Sequence, residues 1–212
     1  MSHIDERTGK PKLILDLCGG TGSWSMPYKE AGYDVRLITL PEYDVLTYVP
    51  PENIYGILAA PPCTEFSVLN CKAEPRKRDE MGGLLVVFGC LRIISFALPE
   101  FWAMENPRGA LRKYMLNAGI TFQPWEFGDA WTKTTDLFGI FVAPETKYCH
   151  WEDVPKLELY VRPRREKPSF AYLHKSALVK IPQLAGVEVA DDASFRAITP
   201  PGFAQAFFEA NK

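Results

Sequence analysis

The chain has 212 residues, 47% of them hydrophobic, a formal net charge of -2 at pH 7 and five cysteines. That length supports one substantial core and excludes two full-sized domains, while the near-neutral charge excludes indiscriminate coating of nucleic acid and leaves room for a local basic face. The odd cysteine count, with no C-x-x-C pair and no secretory leader, argues against zinc and a disulfide framework and for the reducing cytoplasm of a bacterial or phage-infected cell.

In chain order, the polar opening MSHIDERTGK is expected to fray. Positions 12–17 (KLILDL) form an apolar run that ends at Gly19, Gly20 and Gly22, and a helix is expected over 24–31, before Gly32. Further strands are expected at 35–40 (VRLITL), 54–60 (IYGILAA) and 101–105 (FWAME). The stretch 82–98 (GGLLVVFGCLRIISFAL) raises the question of a membrane, but it is short for a span and carries Arg92, so a buried helix and no membrane partner are expected. Strands alternating with helices predict an α/β fold, a mostly parallel Rossmann-like sheet covered on both faces, with ligands bound beyond the carboxyl ends of its strands. After 136–142 (DLFGIFV) the composition changes to mixed prolines, basic residues and aromatics, and a proline turn and an apolar helix then close the chain. The expected organisation is a catalytic core over 1–142, a small insertion over 143–194 and a segment returning to the core over 195–212.

Three loops carry chemistry. The first, Asp16-Leu17-Cys18-Gly19-Gly20-Thr21-Gly22, sets an acid and three glycines at a strand end, where backbone can approach a ligand and Asp16 can accept from an ammonium group. A dinucleotide fingerprint would need a glycine where Ser25 stands and an acid where Thr39 and Leu40 stand, so an S-adenosylmethionine loop fits better; a tight structural turn is the plain alternative. In the second loop, Pro61 and Pro62 fix the backbone and aim Cys63, although a lone cysteine is often just buried packing. In the third, Glu105 precedes Asn106 and Pro107 at the same edge of the sheet, and it serves equally as a helix cap. Two basic clusters, Lys72 with Arg76, Lys77 and Arg78, and Arg162 with Arg164, Arg165 and Lys167, suit phosphate contacts or a merely solvated surface.

Taken in order, these pieces resemble the DNA cytosine-C5 methyltransferases, especially compact bacteriophage-type members. The resemblance covers roughly 12–142 and 195–212, and it implies that the 143–194 insertion is a small counterpart of the family's target-recognition domain. It rests on 16–25 (DLCGGTGSWS), Asp44-Val45, Pro62-Cys63, Glu105-Asn106 and 198–204 (ITPPGFA). It implies a class I fold that binds S-adenosylmethionine through Asp16, Leu17, Cys18, Gly19, Gly20, Gly22, Trp24, Asp44, Val45 and Pro61, and releases S-adenosylhomocysteine. Cys18 stands where the family has an aromatic, so Trp24 is expected to compensate, with Glu42 as a substitute for the missing ribose acid. The family's cytosine-gripping arginines are replaced at 131–135 (WTKTT), making Lys133 or Thr135 the expected counterparts. The resemblance further implies that Cys63 attacks C6 of a flipped cytosine while Glu105 holds the base. Double-stranded DNA is the expected partner and a monomer the expected state. The alternatives are an RNA cytosine methyltransferase with the same chemistry and a catalytically weak nucleic-acid-binding relative.

Overall fold

A six-stranded sheet organises the computed structural model, which describes residues 3–67, 79–115 and 118–212. Ahead of the sheet, β1 (Ile4–Asp5) and β2 (Lys10–Pro11) pair as a small antiparallel hairpin, so the expected fraying is not seen over 4–11. The sheet contains β3 (Leu13–Leu17), β4 (Asp34–Ile38), β5 (Ile54–Ala59), β6 (Phe101–Pro107), β7 (Ile120–Phe122) and β8 (Thr135–Ile140), in the order β4-β3-β5-β6-β8-β7. From β4 to β6 the pairing is parallel, whereas β8 runs antiparallel to both β6 and β7. The fold is α/β with a mostly parallel central sheet.

Helices α1 (Met26–Glu30), α2 (Glu80–Ala97), α3 (Arg112–Met115), α4 (Asp192–Ala197) and α5 (Pro201–Ala210) complete the regular structure. Because successive strand side chains point to opposite faces, each strand feeds two cores. Leu13, Leu15, Leu17, Ile57, Ala59 and Met104 meet α2 on one face, while Ile14, Leu58, Phe101 and Ala103 meet α1 and α5 on the other. Helix α2 begins at Asp79, whose carboxylate accepts from Gly82 N at 2.9 Å. Its apolar length makes it a candidate membrane span by composition, and Leu84, Val87, Cys90, Ile93 and Ile94 pack it onto the sheet. The expected buried helix is nevertheless buried on one face only, since Met81, Leu85, Phe88 and Phe96 are exposed on the other.

The chain leaves β3 outward to β4 and crosses back to β5 on the other side of β3, so the loops after β3 and β5 diverge at the carboxyl edge, where sheets of this kind have their ligand crevice. The 143–194 stretch has its own small core, in which Leu159, Phe170, Leu173, Ile181 and Leu184 gather around Trp131 and Ile198. Among the described residues it forms 3₁₀ turns and the start of α4, and no strand. Where it departs, Val142 is clamped by Asn211, whose side chain accepts from Val142 N at 2.8 Å and donates to Val142 O at 3.0 Å. Helix α5 starts over the buried Asp129, which accepts from Gly202 N at 3.1 and 3.2 Å and whose carboxyl is pushed up to about 7 by burial.

Candidate active site

The loop after β3 is held open by three left-handed residues, Cys18 (φ 56°), Gly20 (φ 54°) and Gly22 (φ 70°). Gly19 lies against the acid, and a Cβ there would fall 2.3 Å from the Asp16 carboxyl carbon, so no larger residue fits without moving it. Asp16 is wholly buried, and burial pushes its carboxyl up to about 6. Ser25 Oγ donates to one carboxylate oxygen at 2.6 Å, while Oδ1 has no partner among the described residues. Ser25 is therefore the partner of Asp16, a role that its position as a missing glycine concealed; a hydroxyl shortly after a strand-end acid was the available signal. Cys18 is half-buried against Cys90 of α2, and a hydrogen bond between the two thiols lowers Cys18 and, with burial, raises Cys90.

Not every residue expected to hold a cofactor faces the crevice. Trp24 is 1% exposed and lies between Phe203 and Phe207 at ring separations of 6.0 and 5.5 Å, which makes it a core residue with no face free for an adenine. Leu17 and Val45 also point into the core, so only their main chains can border a ligand. Asp44 is half-buried and accepts from Leu46 N at 2.9 Å, and Glu42 is exposed. Pro61 is buried, and its carbonyl accepts from Asn106 Nδ2 at 3.0 Å.

That last bond ties the loop after β5 to the end of β6. Cys63 O accepts from Phe66 N (3.0 Å) and Ser67 N (2.8 Å), closing a turn, and Phe66 O accepts from Ala110 N at 2.9 Å. Gly109 makes the seam possible, since a Cβ there would lie 2.2 Å from Phe66 O. Cys63 itself is half-buried; burial and the neighbouring Glu105 carboxylate push its thiol up, against the pull of Lys133. Glu105 is buried, with Oε1 3.5 Å from Lys133 Nζ and Oε2 unpartnered among the described residues. Lys133 also donates to Ile198 O at 3.4 Å, and its ammonium sits 6.0 Å from the Phe170 ring centre.

Thr135 corrects the other half of that expectation. It is buried within β8, and its hydroxyl donates to Lys133 O at 2.8 Å, so it fixes the lysine's backbone and does not face a ligand. Phe170 and Ile198 line the lysine from far along the chain; Ile198 opens the 198–204 stretch already singled out, whereas no local pattern marks Phe170. Next to Ile198, Thr199 N donates to Ser23 Oγ at 2.9 Å, which joins the closing segment to the glycine loop.

Of the basic residues, Lys72, Arg76, Lys77 and Arg78 lie outside the described residues, as does Cys71. Arg164 and Arg165 are exposed, and Arg162, also exposed, stacks its guanidinium 4.2 Å from the Tyr172 ring centre. Lys167 is half-buried with its ammonium 4.9 Å from Trp125 and 5.4 Å from Trp151, within cation–π range of both rings. Among the described residues, no group of three or more His, Cys, Asp or Glu converges to hold a metal. The carboxyl edge of β3, β5 and β6 thus gathers a thiol, a carboxylate-ammonium pair and two unsatisfied carboxylate oxygens.

No protein-family profile matches the chain. It is similar to the Type II methyltransferase M.DdeI of Desulfomicrobium norvegicum, 28% identical over 122 residues that cover 46% of this chain and 28% of that protein. Among solved structures, it is similar to a DNA modification methyltransferase encoded within an E. coli prophage, with a TM-score of 0.43, 17% identity, and coverage of 74% of this chain and 51% of that one. It is also similar to the S. pombe Dnmt2 methyltransferase, with a TM-score of 0.39, 14% identity, and coverage of 80% and 65%. The chain spans less than two thirds of each of these proteins.

Proposed function

We propose that the chain is an S-adenosylmethionine-dependent methyltransferase acting on carbon 5 of cytosine in DNA, with Cys63 as the nucleophile. The observation that carries this reading is the Cys63 thiol beyond β5, held beside the buried Glu105 and Lys133 pair at 3.5 Å. A thiol is the side chain suited to adding to C6 of a pyrimidine, because it makes C5 electron-rich without help from a metal. The similarity to M.DdeI agrees with the reading.

The residues present fit the cofactor. Asp16 keeps one buried carboxylate oxygen unsatisfied beneath a loop whose left-handed residues expose main chain, an arrangement suited to a charged amino-acid end. The turn at Asp44 lies at the adjacent strand end and suits the nucleoside. When bound, S-adenosylmethionine supplies an electrophilic methyl group. Cys63 must lose its proton to add to C6, and Lys133 favours the thiolate that burial and Glu105 oppose. Glu105 accepts from the exocyclic amine and, when it carries a proton, donates to N3, stabilising charge in the ring as C5 becomes nucleophilic. Once C5 is methylated, its proton passes to solvent, and the electrons of that bond restore the C5–C6 double bond as Cys63 leaves as the thiolate. Such an approach needs the cytosine out of the stack.

Bisulfite sequencing of DNA and RNA from cells making the protein tests the reading. Protected cytosines in a short recurring context are expected with the wild type and not with Cys63→Ala. Protection confined to RNA would favour the RNA alternative, and protection of neither would sink the assignment.

Two further results are expected. Asp16 must be ionised to hold an ammonium group, and its carboxyl is raised to about 6, so calorimetric affinity for S-adenosylmethionine should fall about tenfold per pH unit below that value. An Asp16→Asn protein should show weak, pH-independent binding. On the DNA side, replacing the exposed Arg164 and Arg165 by alanine should flatten the log-log salt dependence of binding by about one unit for each phosphate no longer neutralised. An unchanged slope would remove this cluster from the DNA-binding surface.

A further inference from the structure

Helix α2 is apolar from Met81 to Ile94 except at Arg92, and that arginine is half-buried. Its Nη2 donates to Val45 O at 3.0 Å and to Tyr48 O at 2.7 Å. These carbonyls belong to the single turn that starts at Asp44, where Thr47 N and Tyr48 N both return to Asp44 O, at 3.0 and 2.8 Å. A single turn leaves its last carbonyls without amide donors, and here Pro50 and Pro51 follow closely and bring none. Gly89, one helical turn before Arg92, lets the segment approach closely, since a Cβ there would lie 3.1 Å from Val45 O. A leucine would pack against this turn without the cost of partly burying a guanidinium. What arginine adds is the fixed position of this turn relative to α2 and β5.

We propose that Arg92 is a positioning residue for the nucleoside end of the cofactor, acting through the turn at Asp44. This rests on the cofactor reading above. The arginine touches neither the transferred methyl group nor the base, so its loss should weaken cofactor binding and leave the chemical step alone.

The test measures S-adenosylhomocysteine affinity by calorimetry, cofactor KM against kcat, and thermal stability for the wild type, Arg92→Met and Arg92→Lys. Methionine keeps the apolar stem and removes both hydrogen bonds, so Kd and KM should rise about tenfold, with kcat within about twofold of wild type. Lysine keeps stem and charge and should recover part of the loss, to about threefold. Combining Arg92→Met with Asp44→Ala should weaken binding no more than the stronger single change, because both act on one turn. A wild type that binds no S-adenosylhomocysteine would overturn the cofactor reading itself. A wild type that binds, with Arg92→Met equally tight and only less heat-stable, would overturn the positioning role. Should Arg92→Met fail to fold, Arg92→Lys decides: unchanged affinity overturns the proposal and weakened affinity supports it.

Discussion

Replacing Cys63 by alanine is expected to lower methyl transfer by about 10⁴-fold or more, the scale seen when a covalent nucleophile is removed and binding is left intact. The thiol is held by a turn that Cys63's own carbonyl closes and by the Asn106 to Pro61 bond, neither of which depends on its side chain. The variant should therefore fold and bind DNA about as well as the wild type. With 5-fluorocytosine in the substrate, the C5 substituent cannot leave as a proton, so the wild type should stay attached to the base through Cys63 once methyl transfer has occurred. Cys71, eight positions on and without the flanking prolines, serves as the internal control. Mass spectrometry that placed the adduct on Cys71, or normal methylation by Cys63→Ala, would falsify the covalent mechanism.

The second large effect is expected at the Glu105 and Lys133 pair. Their side chains are only 9% and 12% exposed, so removing either leaves a buried charge uncompensated. Lys133→Ala should cost about 3 kcal/mol of stability and raise the Cys63 thiol further, shifting the pH-rate profile to higher pH. The sign follows from the charges: Lys133 lowers the thiol while Glu105 and burial raise it. Glu105→Gln should lower kcat by about 10² to 10³-fold with little change in cofactor affinity, because Glu105 acts at the base and on Cys63 and Lys133, away from the glycine loop. Equal loss of cofactor affinity would instead mark Glu105 as part of the cofactor pocket.

The sheet was legible because periodicity and glycine punctuation are local signals. The apolar run 12–17 and the prolines after β5 each declare a strand end within a few residues, whereas Glu-Asn-Pro, expected to follow its strand, forms the last three residues of β6. What escaped depends on partners distant in sequence. Trp24 follows a glycine loop and looks available to a ligand, yet it is buried in the core against Phe203 and Phe207 of α5. Thr135 is a small polar residue in a suggestive place, but the β6-β8 register turns its hydroxyl back to Lys133 O. The antiparallel β8 was hidden inside an apolar run, and β7, at three residues, is too short for any period to show. Arg92 was visible as a flaw in an apolar helix, whereas its task was not, because the carbonyls it serves lie 44 and 47 positions earlier.

The clamp between Val142 and Asn211 bears on how such a chain could change over generations. The polypeptide is moored just before residue 143 by that clamp, and moored again at Ile198 and Thr199 by Lys133 and Ser23. Between those moorings the chain keeps a hydrophobic centre largely of its own. Lengthening a stretch anchored at both ends adds only about 0.6 kcal/mol per doubling. Insertions of different size could therefore be exchanged between the same two fixed points while the reacting groups stay where they are.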